Sequence, residues 1–125
     1  MIELTFEQIL ELHALVIKET GGSIGLRDLG RLEASIATQS QNVFGEELYP
    51  TIEDKTAAII RSIIADHPFV DGNKRTAMIA GLVLLNLNNK QFLFRPGEIE
   101  DYAVNIATDH LDVPKISAWL QAHIS

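Results

Sequence analysis

Apolar residues recur along this chain at spacings of three and four rather than two, so most segments read as amphipathic helices. The first helix begins near Thr5, because Thr5 and Gln8 have the form of a capping box. It carries Phe6, Ile9, Leu10, His13, Val16 and Ile17 on one face and ends at Gly21-Gly22. A glycine-punctuated loop follows, Gly22 to Gly30. Asp28 is placed to cap a second helix with Leu29, Leu32 and Ile36 as its apolar stripe. Phe44 to Pro50 shows no regular pattern. Thr51 caps a third helix with Ile52, Ile59, Ile60, Ile63 and Ile64 inward, and Glu53 and Asp54 suit its first turn. That helix must stop near Asp66, since Pro68 disfavours helical backbone at His67.

A fourth helix is expected from about Asn73 to Leu87, apolar nearly all round, the pattern of a helix buried on every side. Phe92 to Phe94 reads as a short extended piece. Helices from about Pro96 to Thr108 and from about Val113 to His123 follow, with Pro114 suited to a first turn and Trp119 as a core anchor. The expected architecture is an all-α single domain over residues 1–125, about six helices around one central buried helix, the fourth.

Bulk properties narrow the function. The net charge is −7, which repels nucleic acid on average and argues against a helical DNA-binding regulator. The chain has no cysteine, which removes disulfides, thiolate chemistry and cysteine-based zinc sites. No apolar run is long enough to span a membrane and no export signal is visible, so a cytoplasmic protein is expected. Against this acidic background Lys74-Arg75 is the only adjacent basic pair.

That pair closes the segment His67-Pro68-Phe69-Val70-Asp71-Gly72-Asn73-Lys74-Arg75, which lies between two apolar helices. The helix N-terminus there offers unpaired N–H groups and partial positive charge to an anion. Gly72 allows close backbone approach. Arg75 can grip phosphate oxygens with two parallel bonds, and Lys74 adds a point charge. Asp71 is a hard oxygen ligand of the kind Mg²⁺ takes. Asn73 can orient the loop or a phosphate. His67 brings an imidazole, which can accept a proton from a hydroxyl. A base, an anion cradle and a metal are what phosphoryl or nucleotidyl transfer mainly needs. The same residues also read as a plain polar turn, with Asp71 capping the helix, Asn73 bonding the turn and both cations solvated.

The run from His67 to Arg75, with Thr76-Ala77 after it, resembles the signature of Fic/Doc proteins, specifically the death-on-curing (Doc) branch. Gly21-Gly22-x-x-Gly25-Leu26-Arg27-Asp28, Leu32-Glu33-x-x-Ile36 and Leu48-Tyr49-Pro50 are similar to the same branch. The resemblance implies the Fic helical core and a protein-modifying transferase using ATP and Mg²⁺, commonly the toxin of a toxin–antitoxin pair. It implies that His67 is the catalytic base and Phe69 a buried loop anchor beside the nucleotide site. Asp71 falls at the metal position, and Gly72, Asn73 and Arg75 fall at phosphate positions. The loop holding Gly25, Leu26 and Arg27 corresponds to a flap that docks an extended target segment.

Two positions depart from the commoner Fic pattern. Lys74 stands where that pattern has Gly, and Met78 stands where it has a second Arg. Typical Fic enzymes transfer AMP. Doc toxins share both departures, and the resemblance implies reversed ATP and transfer of the γ-phosphate to a threonine of translation elongation factor Tu. An AMP transferase and a catalytically silent Fic-fold binding module are the alternatives. No Ser or Thr is followed four residues later by Glu, so the self-inhibitory helix of many Fic proteins is missing and an antitoxin acting in trans is expected. Among other residues, His13 reads as a hydrogen-bonded core histidine and Arg61 as solvated. Glu98, Glu100 and Asp101 complement a helix dipole, and His110 and His123 carry no chemistry.

Overall fold

In a computed structural model describing Met1–Ser125, the chain folds into α1 (Phe6–Thr20), α2 (Leu29–Ala37), α3 (Ile52–Asp66), α4 (Asn73–Leu87), α5 (Glu98–Asp109) and α6 (Val113–His123). A 3-10 turn at Thr38–Ser40 follows α2. A small antiparallel hairpin, β1 (Asn42–Val43) and β2 (Glu46–Glu47), occupies part of the stretch expected to be irregular. No helix is long and apolar enough to cross a membrane.

Helix starts follow the polar signals. Thr5, Asp28, Thr51 and Asp112 each accept a hydrogen bond from the backbone N–H three residues on, and Thr5 and Gln8 complete the capping box. α5 starts two residues later than expected, because Gly97 in left-handed backbone (φ 83°) precedes it.

The core joins residues from Leu4 to Leu120 in one cluster. Its hub is α3, which packs chiefly against α2, α4, α5, α6 and the 3-10 turn. That corrects the expectation that α4, the most apolar helix, is central. α4 packs chiefly on α1, α3 and α5, and Ile79, Leu82, Val83 and Leu87 stay partly exposed. Apolar composition gives a helix many faces it is able to bury, but neighbours decide which faces are buried. Gly81 sets the closeness of α3 and α4, since a Cβ there would collide with Ile60. α3 hides polar side chains too. Lys55 is buried and donates to Gln39 O (2.7 Å) and Glu47 Oε1 (2.9 Å), tying the hairpin to the core.

Other expectations need adjustment. In α2 the buried pair is Leu32 and Ser35, while Leu29 is half-exposed, because only one narrow edge of this short helix meets α3. Trp119 is an edge residue stacked on Tyr102 (centroids 3.9 Å apart) and only partly buried. Phe92 is extended as expected and bridges to Ile124, with Leu93 N–H donating to His123 O (2.9 Å).

Candidate active site

Six residues, His67 to Gly72, connect α3 to α4. α3 stops at Asp66, and His67 turns the chain in left-handed backbone (φ 49°, ψ 60°), its N–H still donating to Ile63 O (3.2 Å). A non-glycine residue in that region is disfavoured by about 1–2 kcal/mol. Packing on the next two residues holds it there. Pro68 is buried and Phe69 is fully buried, a burial that contributes about 1.5–3 kcal/mol. The exposed His67 ring points Nδ1 at Ala65 O (3.3 Å). Since a carbonyl only accepts, the neutral ring carries its proton on Nδ1 and keeps the Nε2 lone pair free.

Two side chains fix the loop from within. Asn73 Oδ1 accepts from Phe69 N–H (2.9 Å), and Asn73 Nδ2 donates to Phe69 O (2.9 Å). His13, buried in α1, stacks on the Phe69 ring (centroids 3.9 Å, 7° between planes) and donates from Nε2 to Asp71 O (2.8 Å). His13 is thus the core histidine expected, and it also holds the loop from 58 residues away. The sequence marks it only as a polar residue on an apolar face.

These contacts define how two residues expected at the nucleotide sit. Phe69 has no exposed surface and anchors the loop in the core. Both polar ends of the Asn73 side chain are taken by Phe69, so this residue shapes the cradle and leaves only its backbone N–H to face it.

The start of α4 differs from a plain polar turn. Gly72 is the N-cap, in left-handed backbone (φ 75°), with no side-chain cap, so Asp71 does not cap the helix. A Cβ on Gly72 would stand 3.1 Å from Ile17 Cδ1. No acid lies in the first turn of α4. Lys74 and Arg75 are exposed, and the ion pairs of the chain involve Arg31, Lys55, Lys90 and His123 instead. The cations crown an uncapped helix N-terminus and form no ion pair, although Glu100 lines the same hollow as they do. Asp71 Oδ2 accepts from Ser23 N–H (2.8 Å), which leaves Oδ1 without a partner. No cluster of three or more His, Cys, Asp or Glu side chains exists to hold a metal alone. A single carboxylate oxygen beside a phosphate cradle suits Mg²⁺, which takes one or two protein carboxylates and fills its shell with phosphate oxygens and water.

The glycine loop lies against this site. Arg27 N–H and Asp28 N–H both donate to Pro68 O (2.7 and 3.0 Å), and Val70 N–H donates to Gly25 O (3.1 Å). Leu26 and Phe69 face each other as an antiparallel bridge. Bonds on either side of that pair turn the N–H and C=O of Leu26 itself outward, and no partner inside the chain meets them. Of Gly25, Leu26 and Arg27, the free edge is therefore at Leu26, while Gly25 C=O and Arg27 N–H are engaged inward.

A model of the Fic/DOC family matches residues 3–85. The chain belongs to the Fic/DOC family. It is 38% identical over 102 residues to "Toxin Doc" of Mycolicibacterium smegmatis, covering 80% of this chain and 78% of that protein. It is 33% identical over 115 residues to "Protein kinase doc" of Escherichia phage P1, covering 92% and 90%. The Fic/DOC match takes in the glycine loop, α3, the His67–Gly72 connection and α4 as far as Leu85. The mostly helical architecture is that of the family.

Beyond the connection, two hollows adjoin the Fic/DOC site. One of about 360 Å³ runs between α4 and α5, with Lys74 and Arg75 at one end and Met78, Leu82, Phe94 and Val104 along it. The other, of about 150 Å³, has His67 as one wall. His110 and Arg61 line that second hollow, and the placement of His110 is one the sequence does not signal because α5 and α3 are far apart in the chain.

Proposed function

We propose that this chain is the Doc-type toxin of a toxin–antitoxin pair and transfers the γ-phosphate of ATP to a Ser or Thr hydroxyl of a target protein. The observation that carries this reading is the start of α4. An uncapped N-terminus with two cations that form no ion pair lies just beyond a histidine whose free Nε2 is fit to take a proton. The similarity to proteins named as a toxin and as a protein kinase supports it.

In this reading Gly72, Lys74 and Arg75 hold the triphosphate, with the N–H groups of the first turn of α4 and the Arg75 guanidinium as donors. Asp71 offers its unpaired oxygen to Mg²⁺, which when bound neutralises phosphate charge. The backbone of Leu26 pairs with an extended segment of the target and so brings its hydroxyl to the loop. His67 accepts the hydroxyl proton at Nε2, while Ala65 O keeps the ring in the tautomer that can do so. Elongation factor Tu is the target that the family resemblance points to.

Met78 favours γ-phosphate over AMP transfer. It is buried at the position where the commoner Fic pattern has a second Arg, so no second guanidinium is available to fix the AMP-transferring orientation. The antitoxin is proposed to lay a segment over the apolar hollow between α4 and α5, where Phe94 and Val104 are half-exposed next to Lys74 and Arg75. ATP labelled in turn at the α- and γ-phosphate tests the reaction. Label reaching a protein from the γ position alone is expected. Label from the α position alone overturns it in favour of AMP transfer, and no label from either leaves a binding module.

A further inference from the structure

α3 and α5 end side by side, and a histidine terminates each. His67 (φ 49°, ψ 60°) and His110 (φ 51°, ψ 49°) are both C-caps in left-handed backbone. The hollow of about 150 Å³ lies between these two ends, with both rings on its lining. Ile64 and Ile106 form a buried floor, and Ala65, Ala107 and Leu111 add apolar walls. Arg61 crosses beside it, donating from Nε to Leu111 O (3.2 Å).

Three features decide what this hollow fits. Its volume is far too small for a nucleotide and is of the order that takes in a ring the size of benzene. Its walls are mainly apolar, with Ile64, Ala65, Ile106, Ala107 and Leu111 offering the larger part of the surface, so an apolar group fits it. His67 belongs both to this hollow and to the loop that precedes the anion cradle. Whatever enters it therefore lies next to the hydroxyl that His67 would deprotonate.

We propose that this hollow is a specificity pocket that receives an apolar side chain of the target, from a close sequence neighbour of the acceptor residue. The proposal rests on the transferase reading above and adds a sequence preference to it. The nucleotide occupies the α4 side of His67, and the target's neighbouring side chain occupies the α3–α5 side. Ala107 and Leu111 set the depth of the pocket, so they set which side chain fits.

The protein incubated with a bacterial lysate and ATP labelled at the α- or γ-phosphate yields a labelled target whose hydroxyl mass spectrometry can map. That target is then remade with each residue flanking the hydroxyl changed to Leu, Phe, Ala or Asp. At one flanking position Leu should be modified at least about ten-fold faster than Ala, the discrimination a few methylenes provide in an apolar pocket. In Ala107→Leu, which fills the pocket, the Leu-to-Ala ratio should fall towards one. In Leu111→Ala, which deepens it, the Phe-to-Leu ratio should rise. Each ratio is taken within one variant, so it does not depend on how much of that variant is folded. Equal rates for Leu, Ala and Asp at every flanking position overturn the pocket and leave the transferase standing. A ratio that Ala107→Leu leaves at the wild-type value does the same. A lysate in which nothing is labelled removes the transferase reading and the pocket with it.

Discussion

α3 and α4 are joined by one short loop and pack on each other, yet they begin in opposite ways. α3 starts at Thr51, whose hydroxyl accepts from Asp54 N–H (3.1 Å), with Glu53 and Asp54 in the first turn. Every feature there satisfies the helix end, and such a cap contributes about 1 kcal/mol. α4 starts at Gly72, has no side-chain cap, and places Lys74 and Arg75 where the helix dipole is already positive. Those two charges oppose the dipole by roughly 0.3–1 kcal/mol each. α5 is the control. It also starts at an uncapped glycine, but Glu98, Glu100 and Asp101 fill its first turn, and Glu98 Oε1 accepts from Arg95 N–H (2.9 Å). An uncapped end alone is therefore not a site. A helix start that is both unsatisfied and cationic is poorly built for stability and well built for an anion.

The comparison breaks most sharply at the residue between the two helices. His67→Ala should lower transfer to protein by about 10²–10⁴-fold, the range for removing a general base. Its ATP affinity, read by calorimetry, should stay near wild type. Retained transfer would move the proton acceptor elsewhere.

Arg75→Ala comes next. Losing a charge-assisted bond to phosphate should weaken ATP binding by about 1.5–3 kcal/mol, or roughly ten- to a hundred-fold. The same change should raise resistance to urea slightly, because it removes a charge that opposes the helix dipole. A variant that lost stability together with affinity would mean Arg75 serves the fold rather than the ligand.

Thr51→Ala is the mirror experiment. It should cost about 1 kcal/mol of stability and leave ATP affinity unchanged. Weakened nucleotide binding without loss of stability would contradict the division of labour between the two helix starts.

The smallest effect is expected at the satisfied start of α5. Glu98 Oε2 accepts from His123 Nε2 (2.7 Å), and His123 Nδ1 donates to Trp119 O (2.7 Å). With both ring nitrogens donating, the His123 pKa is raised above its ordinary 6.5, first by Glu98 and then by Trp119 O. The Glu98 pKa is lowered from 4.5, first by the backbone N–H of Arg95 and then by His123. The histidine's contribution to stability is full below 6.5 and is lost as pH rises through its raised value. The carboxylate's contribution is full above 4.5 and is lost as pH falls through its lowered value. The tie between α5 and α6 is therefore strongest between these limits. Wild type should lose melting temperature relative to Glu98→Gln as pH rises above 6.5 and through the raised His123 value. A gap between the two that does not change with pH would show that no charge is shared.

Local chemistry carried much of this protein in readable form. Thr5, Asp28, Thr51 and Asp112 announce helix starts, because a cap is a bond between residues three apart. Pro68 announces the end of α3 for a steric reason confined to its neighbour. The run His67 to Arg75 holds the base, the carboxylate and the cations of the candidate site in nine consecutive positions, so the sequence alone displayed them. What it did not display depends on partners distant along the chain. His13 holds the loop through Asp71 O, Leu26 is left as the open backbone edge, and His110 shares a hollow with His67. The hub of the core is α3 and not α4 for the same reason, since periodicity reports how much apolar surface a helix has and not which helices cover it. Backbone geometry and helix ends are decided by neighbours in sequence, whereas burial, tautomers and pockets are decided by neighbours in space.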